Sequence, residues 1–142
     1  MTIIERVLLL QGIELFNTVT TEQLAFIASI GEEIEVAAGA VLYKENDPPD
    51  GLYVVISGGV TATLAGEAIE TIGPNGSLGV WTLFDNQPRV TGAVAAERSR
   101  LLFVRRDDFF DVLSNHVDIV QNILKQLTVR LRRLTVALEK SA

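Results

Sequence analysis

Apolar positions along the first 31 residues recur at helical spacing. In TIIERVLLL, Thr2 and Glu5 stand three apart ahead of an apolar stretch, the pattern of a capping box opening a short helix. TTEQLAFIASIG repeats the device. Thr20 caps, Gln23 answers, Leu24, Ile27, Ala28 and Ile30 form the apolar side, and Gly31 ends the helix. From Glu32 to Val104 the period shortens to that of strands. EEIEV alternates, and AVLYK, LYVVIS, GVTATL, AIETI, RVTGAVAA and RLLFV follow, separated by AAGA, ENDPPDG, SGG, AGE and GPNGSLG. Helical period returns in RRDDFFDVLSNH and from Asn115 to about Lys140, with Asn115 and Asp118 as a second cap. There Val117, Val120, Leu124, Leu127, Leu131, Leu134 and Leu138 are spaced 3, 4, 3, 4, 3, 4, a heptad seam with leucine at most core positions.

The order is helix, strands, helix. It predicts a mainly β domain with flanking helices (α+β), whose many short strands close into a sandwich or a small barrel. The expected parts are helices over 1–31, the β body over 32–104 and helices over 105–142, together one domain. At 142 residues the chain can remove roughly two-thirds of its unfolded surface from water. The seam has two readings: it packs over the barrel mouth, or it pairs with its copy in a homodimer. Three heptads exceed what one small barrel face needs, which favours the dimer. The e positions Gln121, Thr128 and Thr135 carry no charge code for partner orientation.

Composition narrows the chemistry. There is no cysteine, one histidine (His116) and one methionine, so thiolate, zinc, haem and serine–histidine chemistry lose their usual groups. No acid–base–nucleophile set can be assembled, and an enzyme is not expected. Net charge is −6, with 7 basic and 16 acidic residues over 1–116 and 5 and 2 over 117–142. An acidic body argues against wrapping nucleic acid. Apolar runs such as VLLL and LYVVI are too short to cross a bilayer, and no signal peptide opens the chain, so membrane insertion is not expected and a cytoplasmic setting is.

One stretch carries candidate chemistry: GSLGVWTLFDNQPRVTGAV, residues 76–94. A glycine turn leads into a short apolar segment, and then a Pro-Arg pair stands among small residues. With LFNTVTTEQLAFIA, AAGAVLYKENDPPDGLYVVISGGV and RLLFVRRDDFFDVL in the same order, it resembles the cyclic nucleotide-binding domain family. Members of that family include the catabolite activator protein and the regulatory subunits of protein kinase A. The resemblance covers nearly the whole chain and implies a jelly-roll body with a phosphate-binding cassette over 76–94. It also implies cAMP or cGMP as ligand, and service as a regulatory part of a larger protein or complex. Family members that bind DNA carry a helix-turn-helix after the long helix, a segment that these residues do not include.

In the family the cassette reads Gly-Glu-Leu-Ala, a helical turn, then Pro-Arg and a small residue. Its turn amides and arginine hold the cyclic phosphate, and its glutamate holds the ribose hydroxyl. The resemblance places the ligand against Gly79, Val80, Trp81, Thr82, Arg89, Val90 and Thr91, with Pro88 before the arginine. Val80 stands where the glutamate is usual, Trp81 and Thr82 where small aliphatics are, and Val90 where Ser, Thr or Ala is. A phosphate on a guanidinium and helix-start amides is still a sensible site. Losing one charge-assisted hydrogen bond forfeits about 1.5–3 kcal/mol, or about one to two decades of affinity. Weak binding, altered ligand choice or none is therefore expected. The two functions in play are a sensor acting through Arg89 and the last helix, and a ligand-free dimerisation scaffold.

Several bland readings stand beside these. Arg89, taken alone, is a surface arginine after a proline turn. Trp81 is more readily a half-buried structural aromatic than a base-stacking one. The acids of NDPPDG suit a solvated hairpin tip better than calcium. Gly58 and Gly59 read as turn residues, and His116 as structural.

Overall fold

The computed structural model describes residues 1–141. Helices α1 (Ile3–Gln11) and α2 (Thr21–Ile30) flank a 3₁₀ turn at Glu14–Phe16. The strands are β1 (Glu32–Val36), β2 (Val41–Tyr43), β3 (Gly51–Ser57), β4 (Val60–Leu64), β5 (Glu67–Ile72), β6 (Ser77–Leu78), β7 (Gly92–Ala95) and β8 (Ser99–Arg105). A short helix, α3 (Val80–Asp85), sits between β6 and β7, and α4 (Arg106–Asn115) and α5 (Val117–Ser141) complete the chain. Two four-stranded antiparallel sheets, ordered β1-β8-β3-β6 and β2-β7-β4-β5, face each other as a jelly roll.

The apolar runs explain which strands lie at the centre. β3 and β8 are buried on both faces, so LYVV and LLFV lack the polar half of a strand alternation. Leu52, Val54, Leu102 and Val104 face the helices and join Leu10, Phe16, Leu24, Ile27, Phe109 and Ile119 in one core. Their neighbours Tyr53, Val55, Leu101 and Phe103 point the other way, into the roll with Tyr43, Val60, Leu78 and Ala93. Successive residues on opposite faces are the geometric consequence of a period of two.

Both capping boxes form as expected, with Thr2 and Glu5, and Thr20 and Gln23, exchanging side-chain and backbone bonds. Gln23 also does something that its place in the box does not reveal. Its Nε2 donates to Asp118 Oδ2 at 2.8 Å, and its Oε1 accepts from Asn122 Nδ2 at 2.8 Å, fastening the start of α5 to α2. The hydrogen bond from Gln23 holds the Asp118 carboxyl below the usual aspartate range. Gly31 ends α2 in an extended conformation, at φ −69°. It is packed closely there, because a Cβ would stand 2.8 Å from Leu102 Cδ1.

Four expectations need correction. Asn115 is not the cap of the last helix: it closes α4 and donates from Nδ2 to Asp111 O, while Asp118 is engaged by Gln23. The chain bends at His116, whose ring stacks on Phe26 at 3.9 Å. RVTGAVAA is a strand only from Gly92, because Arg89 is occupied by the loop that precedes β3. β6, two residues long, escapes any periodicity test. Finally, the acidic turn is not simply a solvated tip, as its Asp50 shows below.

Candidate functional site: a buried arginine at the start of the cassette helix

Gly79 links β6 to α3 with φ +87°, a left-handed conformation that residues with a Cβ adopt at a cost. Space also restricts the position. A Cβ on Gly79 would lie 2.3 Å from Arg89 Nη1 and 2.9 Å from Gly51 O. The turn after α3 runs through Asn86, also left-handed at φ 54°, and returns by Pro88 to Arg89. There the backbone docks on the 44–50 turn, with Arg89 N donating to Asp47 O and Asn46 N donating to Arg89 O, both at 2.8 Å.

The side chain of Arg89 is 2% exposed. Nη2 donates to Asp50 Oδ1 at 2.6 Å and to Gly51 O at 2.8 Å, and Nη1 donates to Thr82 Oγ1 at 2.9 Å. Thr82 in turn donates to Gly79 O at 3.1 Å. The guanidinium lies over the Tyr43 ring, 4.1 Å from its centroid. Nε is enclosed and meets no acceptor among the described residues. Arg89 is therefore no surface residue, and the acid absent from its sequence neighbourhood arrives from 39 positions upstream.

Asp50 is half-exposed, and its second oxygen accepts from Tyr53 Oη at 2.9 Å. Burial, followed by the Asp50 charge, raises the Tyr53 phenol, which stays protonated and able to donate at neutral pH. Burial likewise raises Tyr43, against the opposing pull of Arg89. An ion pair of this kind leaves the pocket close to charge-neutral. An anion entering it meets a guanidinium whose field is already partly cancelled.

The seven residues that the resemblance assigned to a ligand are brought together. Gly79, Val80, Trp81, Thr82, Arg89, Val90 and Thr91, with Tyr43, line a cavity of about 200 Å³. Val80 leaves no carboxylate among these lining residues. Trp81 is 45% exposed, partly buried, and its ring faces α5 across a gap rather than the core. Arg130 of α5 covers it, with Cζ 4.7 Å from the ring centroid. Arg130 also lies 3.7 Å from Glu14 Oε2, and Arg133 hydrogen-bonds the other oxygen of that carboxylate. On the far side of α3, Phe84 meets Phe109 and Phe110 of α4 edge-on, at 5.5 and 6.4 Å. Arg106 Nε donates to Leu83 O at 3.1 Å. The cassette helix thus touches both C-terminal helices.

The seam divides along α5. Ile119, Ile123 and Gln126 are buried against the body, and Val120 and Leu127 pack partly against it. Leu124, Leu131, Leu134 and Leu138 are exposed. Val120, Leu124 and Leu127 line an apolar groove of about 320 Å³ with Phe84, Phe110 and Leu113. Among the described residues no helix is long and apolar enough to cross a membrane. No group of three or more His, Cys, Asp or Glu there could hold a metal ion.

Residues 33–116, which contain this cavity and both turns that build it, match the family model for the cyclic nucleotide-binding domain. The chain belongs to that family. This cyclic nucleotide-binding domain is 28% identical over 124 residues to the CRP-like cAMP-activated global transcriptional regulator of Mycobacterium tuberculosis, covering 84% of the chain and 55% of the relative. It is 27% identical over 119 residues to the cAMP-dependent protein kinase regulatory subunit of Emericella nidulans, covering 82% of the chain and 28% of that subunit. Among solved structures, the N-terminal domain of a transcriptional regulator from Streptomyces coelicolor A3(2) superposes with a TM-score of 0.83 at 28% identity, covering 91% of this chain and 96% of that one. The domain spans about half the length of the first of these relatives.

Sequence reasoning missed Asp50, Tyr43, Tyr53 and Arg130 as neighbours of the site. The paired acids of NDPPDG were the visible signal for Asp50. Nothing local marks the other three, because an aromatic in a strand and an arginine in a helix are ordinary.

Proposed function

We propose that this domain is a regulatory sensor that takes cAMP, cGMP or a related anionic ligand weakly at Arg89 and passes the event to α5. The observation that carries the reading is the 2%-exposed Arg89 lining a cavity at the first turn of α3, beside a glycine whose missing side chain leaves room for the guanidinium. A ligand that displaces part of the Asp50 contact, or presses on α3, has two ways out. One runs through Trp81 to Arg130, the other through Phe84 to Phe109 and Phe110. Such signalling requires that the ligand bind two arrangements of α5 unequally. The relatives named as cAMP-activated and cAMP-dependent regulators support a regulatory rather than an enzymatic role.

Calorimetric titration with cAMP and cGMP tests this. The native domain is expected to give weak heats in the range of tens to hundreds of micromolar. Val80→Glu restores an acceptor for a ribose hydroxyl and is expected to tighten binding by about tenfold or more. Arg89→Ala is expected to abolish the heat, with its fold checked by circular dichroism. No heat from the native domain at millimolar nucleotide, and none gained by Val80→Glu, would sink the nucleotide reading.

A second reading, a ligand-free dimerisation scaffold, is favoured by the prior occupation of Arg89 by Asp50. Both readings use a homodimer through Val120, Leu124, Leu127, Leu131, Leu134 and Leu138. The exposure of Leu131 (64%), Leu134 (55%) and Leu138 (72%) supports it, since such a row of leucines in water is a cost that a partner helix removes. Sedimentation is expected to show a native dimer and a monomeric Leu131→Asp/Leu134→Asp variant with an unchanged melting profile per chain. A native monomer at tens of micromolar would rule the seam out.

A further inference from the structure

We infer that Glu14, in the 3₁₀ turn before α2, is an ionic latch that holds the later half of α5 on the body and so sets where its exposed leucines point. α5 is attached in two unequal ways. Its first half is seated: Ile119, Ile123 and Gln126 are buried, Leu127 packs partly against the core, and Gln23 bonds Asp118 and Asn122. From Thr128 to Ser141 no side chain is buried and none joins a core cluster. That stretch is about 21 Å of helix. What reaches the body from it is polar. Glu14 accepts from Arg133 on Oε1, and its Oε2 lies 3.7 Å from Nη1 of Arg130, whose Cζ stands 4.7 Å from the Trp81 ring centroid.

These contacts suit a device that opens and closes better than a fixed brace. Arg130, Arg133 and Glu14 are all about half-exposed, and ion pairs so open to water are weak and screened by salt. One carboxylate serves both arginines, so its loss frees both at once. Arg130 and Arg133, three residues apart, share one face of the helix, and Leu131, Leu134 and Leu138 follow a different row. Closed, the latch leaves that leucine row turned to solvent. Open, the later half is free to swing about the fastened first half. Trp81 gives the latch a second input, because it borders both the Arg89 cavity and the gap that contains Glu14 and Arg130. The latch needs no ligand, so it stands or falls apart from the sensing reading above.

Hydrogen exchange along α5 and the emission of Trp81, the one tryptophan of the chain, read the state of the latch. The proteins are the native domain, Glu14→Gln, Arg133→Gln and the double variant, each measured over a dilution series. Both single variants are expected to speed exchange over residues 128–141 by about three- to tenfold and to shift the Trp81 emission, with residues 117–126 unchanged. The double variant should go no further than Glu14→Gln alone, since Arg133 acts through that carboxylate. Raising salt from about 0.02 M to about 1 M should reproduce the effect in the native domain and add little in Glu14→Gln. Native exchange over 128–141 in Glu14→Gln would overturn the inference, as would additive effects of the two substitutions. Protection of that half that tracks protein concentration and not Glu14 would also overturn it, and would assign its order to a second copy.

Discussion

Gly79→Ala is expected to lower stability by about 2–5 kcal/mol and to abolish the proposed ligand binding at Arg89. Two costs add. A left-handed backbone at φ +87° costs a residue with a Cβ about 1–2 kcal/mol. Crowding a packed site costs about 1–3 kcal/mol more, here because the new methyl would lie 2.3 Å from Arg89 Nη1 and 2.9 Å from Gly51 O. The carbonyl of Gly51 is backbone in a central strand and yields poorly, so the arginine is the part that moves. For a domain of this size the loss corresponds to a fall in melting temperature on the order of 10 °C. Gly66→Ala is the matched control: its φ is +81°, but nothing lies within 4 Å of the place its methyl would take, so it bears only the backbone cost. Thermal melts of the two variants separate strain from crowding. Equal losses would mean that Arg89 does not depend on the missing methyl.

Asp50→Ala is expected to move stability and anion affinity in opposite directions. Removing one partner of a buried ion pair costs about 3–5 kcal/mol. Because Asp50 is itself half-exposed, water can reach the orphaned site, and about 2 kcal/mol is the more suitable figure. The Tyr53 hydroxyl loses its acceptor at the same time. Asp50→Asn keeps that acceptor but not the charge, and its loss should be smaller. Affinity should respond the other way. A guanidinium no longer balanced by a carboxylate at 2.6 Å presents its full charge to the cavity, and anion binding is expected to tighten by about tenfold. Calorimetry with the anion that binds the native domain, and denaturant melts with and without it, read both effects. Unchanged or weaker anion binding in Asp50→Ala would show that the acid is a structural brace and not a competitor for the arginine.

These two variants address one physical arrangement, a charged donor held at a cavity by a competitor already on the protein. Under the proposed sensing role, a ligand that takes over part of the guanidinium would draw it away from Asp50, at the end of the 44–50 turn. The same ligand would bear on Trp81, where Arg130 and Glu14 hold the later half of α5. The first half of α5 is fastened separately, by Gln23, Asp118 and Asn122. A shift of the helix about that fixed start would re-aim the exposed leucines without disturbing the core contacts of Ile119 and Ile123.

Much of the architecture is legible in the pattern of residues. Capping boxes, strand texture and the heptad row are local, and each rests on side chains within a few positions of one another. Gly79 and Arg89 can be assigned because their spacing lies within a single stretch that resembles a known cassette. The helix boundary near His116 departs from its local pattern for a long-range reason. A capping pattern at Asn115 and Asp118 competes with the end of α4, and Gln23, 95 residues before Asp118, claims the aspartate. Burial of both faces of β3 and β8 can be inferred only from their unbroken apolar runs, which do not say what lies on either side.

The amino-acid sequence by itself determined the order of elements, the glycine that turns the chain into α3 and the arginine that follows it, because propensity and periodicity act over short distances. Only the tertiary structure decided that Asp50 meets Arg89, that Arg130 covers Trp81, and that one half of α5 is buried while the other presents leucines to water. Those contacts join residues 39 and 49 positions apart, across sheets and helices whose packing no local pattern encodes.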